Sequence, residues 1–139
     1  MTYEEKKEWL RRYRKAARIE KMKLDEVEQY RAAARRVTQV LSAVPGGVGD
    51  GQALPRAVER IMDAMQEANA QVMECQQIRK EIMDTMAQTV DVQDYGILYM
   101  RYIGGMKWEQ IAAKIGMDVS RVYRRHKAAV KALDISESQ

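Results

Sequence analysis

Apolar residues recur at helical spacing along most of the chain, and this pattern divides it into segments. From Glu4 to Ala43 neither Pro nor Gly occurs, and Leu10, Tyr13, Ala17, Leu24, Val27, Ala34 and Leu41 follow one another at intervals of three, four or seven. Such spacing draws an apolar stripe along an otherwise charged helix. Glu20 and Arg31 fall on the stripe where a strict heptad wants apolar side chains, which leaves room for a break near residues 20–24. The run Pro45-Gly-Gly-Val-Gly-Asp-Gly-Gln52 then ends the helix, because its glycines carry more conformational freedom than a helix tolerates. No strand precedes this run and no Lys-Ser/Thr follows it, so it does not read as a phosphate-binding loop.

A second helix is predicted from Leu54-Pro55, where proline suits the first turn, to about Val90. Leu54, Val58, Ile61, Met65, Ala68, Val72 and Cys75 alternate spacings of four and three, and Ile78, Ile82 and Met86 continue the stripe after a phase shift. Two long helices joined by a short glycine-rich loop most simply form an antiparallel hairpin. Each arm buries only one seam in that arrangement. Trp9, Ile19, Met22, Met62 and Met83 are therefore expected to pack on the C-terminal segment or on another subunit.

Shorter periods follow. Val92 to Ile103 reads as a helix with Ile97, Met100 and Ile103 on one face, closed by Gly104-Gly105. Lys107 to Ile115 is a short helix with Ile111, Ala112 and Ile115 inward. Gly116 turns the chain, Asp118 stands where it can cap, and a last helix to about Leu133 turns Val122, Ala129, Val130 and Leu133 inward. A small residue at the closest helix approach (Ala112), a glycine four positions on and apolar residues at the flanking offsets are what a helix-turn-helix requires. The expected fold is all-α, with a coiled-coil-like antiparallel hairpin over 1–90, its loop at 44–53, a helix-turn-helix domain over 91–135 and a disordered tail at 136–139.

Charge sharpens this division. Residues 1–43 hold 12 basic against 7 acidic side chains, residues 44–90 hold 4 against 7, and residues 91–139 hold 8 against 6. The arms are complementary in charge, and the basic residues of the last segment cluster on its final helix as Arg121, Arg124, Arg125, Lys127 and Lys131. One histidine, one cysteine and no paired metal-ligand spacing leave no catalytic constellation, metal site or cofactor to propose. Cys75 lies on the apolar stripe and reads as a small core residue. A lone cysteine fits the reducing cytoplasm, and no apolar run or leader suggests a membrane or an export route. No enzyme activity and no small-molecule substrate are expected.

The run Arg101-Tyr-Ile-Gly-Gly-Met-Lys-Trp-Glu-Gln-Ile-Ala-Ala-Lys-Ile-Gly, followed by Ser120-Arg-Val-Tyr-Arg-Arg-His, resembles region four of bacterial sigma-70 factors. The whole layout of arm, Pro-Gly-Gly loop, second arm and terminal head resembles small phage-encoded regulators of the ArpU/RinA type. The resemblance implies a cytoplasmic protein of a bacterial host, double-stranded DNA as partner, RNA polymerase as a second partner, and activation of phage late genes. Two positions depart from the sigma pattern. Lys107 stands where a Ser or Thr usually caps the first helix of the motif, and Arg125 stands where such helices usually bury an aliphatic side chain.

With helix 118–133 in the major groove, the positions turned away from its apolar face are Val119, Ser120, Tyr123, Arg124 and Lys127. Val119, Ser120, Tyr123 and Arg124 are the candidates for base contacts, Arg124 through a bidentate pair with guanine. Lys107, Arg121, Arg125, Lys127 and Lys131 are the candidates for phosphate contacts, with Arg125 laying its stem along the core. His126 is expected to pack or to meet a phosphate. The function read from these features is sequence-specific transcription regulation, with the arms forming a homodimer or higher homo-oligomer or contacting polymerase. The other readings are a phage DNA-packaging recognition subunit of the small-terminase kind and a sigma-like adaptor that binds polymerase alone.

Overall fold

The computed structural model describes residues 1–43 and 51–136, and the predicted loop at 44–53 and tail at 136–139 lie largely outside them. Among the described residues there is no strand, and the expected all-α fold is observed. The helices are α1 (Tyr3–Leu10), α2 (Arg12–Ala43), α3 (Ala53–Met86), α4 (Val92–Leu98), α5 (Trp108–Ile115) and α6 (Val119–Ala132), with a π-helical turn at Tyr99–Ile103 continuing α4. None of these helices is long and apolar enough to cross a membrane.

The first helix starts on a capping box. The Glu5 N–H donates to Thr2 Oγ1 at 3.1 Å, and the Thr2 N–H donates to Glu5 Oε2 at 3.2 Å. Its interruption falls at Arg11, and α2 runs unbroken through residues 20–24, where the polar positions on the stripe had left room for a break.

Two compact units result: Met1–Ala16 with Cys75–Gln139, and Ala17–Glu74. The first holds the larger core. Leu10, Ile82, Met86, Leu98, Tyr102, Ile103, Ala129, Val130, Leu133 and Ile135 form one buried cluster, against which Trp9 and Met83 pack as expected. Ile97, Ile111, Ala112 and Val122 form a second cluster inside the helix-turn-helix. The first sixteen residues thus share a unit with the head, where the sequence alone had drawn them as arm.

In the second unit, Val27 and Tyr30 of α2 meet Ala64 and Ala68 of α3, with Arg31 Nη2 donating to the sulfur of Met65 at 3.6 Å. The buried face of α3 overlaps the predicted stripe here only at Ala68. Ala57, Ala64 and Ala68 lie inside, whereas Val58 and Met65 are exposed. Alanines permit the close helix approach that the larger side chains would block. On α2, Leu24 and Leu41 are likewise exposed, as are Ile19, Met22 and Met62.

Candidate nucleic-acid interface

The turn between α5 and α6 is built on Gly116, whose φ of 68° and ψ of 39° are left-handed. Its N–H and that of Met117 both return to the Ala112 carbonyl, which closes α5 and reverses the chain. Val122 is fully buried against Ile111 and Ala112, as the spacing predicted. Lys107 occupies the N-cap of α5 and its side chain has no acceptor to offer. Gln110 compensates by accepting the Lys107 N–H at 2.9 Å.

Asp118 holds the N-cap of α6 with extended backbone, but not as expected. Its carboxylate accepts the Ser120 hydroxyl in place of a backbone N–H, the nearest donor in so short a turn. That bond, followed by the nearby N–H groups of Ser120 and Arg121, holds the Asp118 carboxyl below the usual carboxylate value. Ser120 Oγ is thereby oriented, with its lone pairs directed away from Asp118.

Val119, Ser120, Tyr123 and Arg124 line one open groove with Trp108, Glu109 and Asp118. The four candidate base readers are therefore brought together at the N-terminal end of α6. Arg121, Arg124, Lys127 and Lys131 are exposed, and among the described residues none of them is in a salt bridge. Lys107 also points into solvent, at the start of α5.

Arg125 is placed differently. Its Nε donates to Asp94 at 2.7 Å, its Nη2 to Asp91 at 2.9 Å and its Nη1 to Gln93. Asp91 is also the N-cap of α4, accepting the Asp94 N–H at 2.9 Å, and that bond leads the causes holding its carboxyl low, with the Arg125 charge adding to it. The side chain is 26% exposed and fastens α6 to the start of α4. Arg125, expected to contact phosphate, is here engaged within the protein.

His126 is 1% exposed, and its Nε2 lies 2.5 Å from the Tyr102 hydroxyl. Trp108 meets it edge-on at 4.5 Å between centroids, and Tyr123 (5.5 Å) and Tyr3 (6.3 Å) complete an aromatic enclosure. Burial, then the charges of Arg101, Lys7 and Arg11, lower its pKa to about 3, so the ring is neutral at pH 7. Burial also raises the Tyr102 phenol above its ordinary value. His126 is a packing residue and touches no surface from which it could hold a phosphate. The Arg101 guanidinium stacks 4.4 Å from the Trp108 indole centroid and donates to the Met106 carbonyl at 3.0 Å.

Sequence spacing gave no hint of the part played by α1, which lies along α6. Lys6 Nζ donates to the carbonyls of Lys131 (2.8 Å) and Leu133 (2.5 Å), groups left open at the end of a helix. The Tyr3 hydroxyl approaches that of Tyr123 at 3.4 Å. The Lys127 and Lys131 ammoniums stand 5.3 and 5.9 Å from the Tyr3 ring centre. Tyr3 of α1 thus lies against two exposed lysines of α6.

Fold and site together define a helix-turn-helix of the DNA-binding kind, with an exposed basic second helix. Residues 83–133, which run from the end of α3 through α6, match the family model of Sigma-70, region 4. The head is sigma-70-region-four-like, in agreement with the motif residues. No curated protein and no solved structure matches the chain.

Proposed function

We propose that this protein is a sequence-specific DNA-binding transcription regulator that docks α6 in the major groove. The observation that carries the reading is the contrast along α6. Arg125 is ion-paired inside the protein, whereas Arg121, Arg124, Lys127 and Lys131 are exposed and Arg124 lines an open groove. Exposed basic side chains on one helix face, anchored by a tight αL turn, are the electrostatic footprint of a groove-reading element. Val119, Ser120, Tyr123 and Arg124 meet base edges, and Lys107, Arg121, Lys127 and Lys131 hold phosphates. Val119 and Arg124 line the same groove, which supports a thymine methyl and a guanine among its contacts.

The finer reading is activation of phage late genes in the manner of ArpU/RinA-type regulators, with bacterial RNA polymerase as the second partner. The succession of arm, glycine-rich segment, arm and sigma-like head supports it. Enrichment of bound sequences from random double-stranded DNA tests the proposal. A recurring motif of a few base pairs is expected. Recovery of unselected sequence at low salt, together with capture of polymerase, would favour the adaptor that binds polymerase alone.

A further inference from the structure

The Ala17–Glu74 unit has a thin core. Its buried apolar side chains, among the described residues, are Val27, Ala57, Ala64 and Ala68. Burying an alanine removes little apolar surface from water, and a unit this small is marginal even with a full core. Several of its larger apolar side chains are turned outward. Met62 is 64% exposed, Met73 72%, Met22 62% and Val40 61%, and Val58 and Met65 are exposed beside them.

These residues are ordered, not scattered. Val58, Met62 and Met65 follow spacings of four and three on α3, with Met73 two turns further on. Their line runs about 100° round the helix from Ala57, Ala64 and Ala68, so α3 carries two apolar faces, one of which is covered. On α2, Met22 and Val40 stand 18 positions apart, about five turns, and so share a face. An apolar surface of this kind on a soluble helix pair marks an interface.

Charge identifies the occupant. The α2 part of this unit, residues 17–43, carries six basic and four acidic side chains, a net +2. The α3 part, residues 53–74, carries two basic and four acidic, a net −2. Two copies of the described part of the unit therefore do not repel as wholes, and opposite charges meet when α2 of one copy lies on α3 of the other. A two-fold axis makes both such contacts at once, because an isologous interface pairs each patch with its complement twice.

We infer that the exposed apolar face of the Ala17–Glu74 unit binds a second copy of this chain, α2 against the partner's α3, closing a four-helix arrangement. The methionines give this seam a pliable filling. The dimer carries two reading heads, and its DNA target then contains two half-sites. This face forms without DNA, so failure of the dimer and failure of the proposed function are separable.

Sedimentation equilibrium on the full chain, from about 1 to 100 μM, tests the inference. The mass is expected to be twice that of one chain. Met62→Glu, which puts an ionised side chain into the apolar seam, should weaken association at least tenfold. Val92→Glu, an equally conspicuous apolar residue in the other unit at 85% exposure, should leave it unchanged. If Met62→Glu fails to fold, the parent's Tm decides, since a dimer's Tm rises with protein concentration. A parent that stays monomeric throughout, with a constant Tm, would assign the face to a different protein and overturn the inference. So would a dimer that survives both Met62→Glu and Met22→Glu.

Discussion

Lys6 and Leu133 meet across a separation of 127 positions, the ammonium of one 2.5 Å from the carbonyl of the other. The same ammonium reaches the Lys131 carbonyl, so a side chain from the first helix closes the last turn of the recognition helix. This bond joins α1 to the helix proposed to face DNA. Replacing Lys6 by Met keeps the stem and removes the donor. The expected loss is about 1 kcal/mol of stability, with fraying of α6 visible as faster amide exchange at residues 130–133. Lys6→Arg should retain most of the effect. Unchanged exchange in Lys6→Met would show that α6 ends without help from α1.

His126 makes stability depend on pH in a calculable direction. Its folded pKa of about 3 lies below the ordinary histidine value of 6.5, so the unfolded chain binds the proton more readily between those values. The contribution of the neutral ring is fully present above pH 6.5 and is lost as pH falls towards 3, at no more than about 1.4 kcal/mol per unit. His126→Gln, which cannot titrate, should flatten this part of the stability profile. Urea melts between pH 4 and 8 measure it. A variant with the parent's slope would place the titration on the carboxylates.

Gly116 sits at φ 68°, and a Cβ there meets nothing within 4 Å. The cost of Gly116→Ala is therefore purely conformational, about 1–2 kcal/mol, and asparagine should recover part of it. Thermal unfolding of the three proteins gives the order Gly, Asn, Ala. A neutral alanine variant would mean that the turn relaxes into another geometry.

Arg125 and Lys127, two positions apart on one helix, should behave oppositely. Arg125→Ala removes the fastening to Asp91 and Asp94 and lowers Tm, while the dependence of DNA affinity on salt keeps its slope. Lys127→Ala leaves Tm nearly unchanged and reduces that slope by about one. Equal loss of slope in both variants would return Arg125 to the phosphate-contacting set.

These contrasts show which features were legible in the sequence. Helical periods located the elements, and Ala112, Gly116 and Val122 located the turn, because a steep crossing has few local solutions. The spacing on α3 revealed an apolar face but not which edge is covered, since that depends on the alanines opposite Val27. The docking of Tyr3 and Lys6 on α6 involves residues more than a hundred positions apart and leaves no local period. Thr2 and Glu5 have capping-box spacing, so the start of α1 was readable although its destination was not. For Arg125, the departure from the sigma pattern marked the position as unusual. The acids that receive it, Asp91 and Asp94, lie at the start of another helix.

Arg124 is the residue on which the functional account depends most. It lines the groove with Val119, Ser120 and Tyr123 and is in no salt bridge among the described residues. The decisive measurement compares Arg124→Ala with the parent on a selected DNA site and on a scrambled one, at a fixed salt concentration. The account predicts that the variant keeps its Tm and its affinity for scrambled DNA while losing about 1–3 kcal/mol of preference for the selected site. A variant that discriminates between the two duplexes as well as the parent would contradict the assignment of α6 as the reading helix.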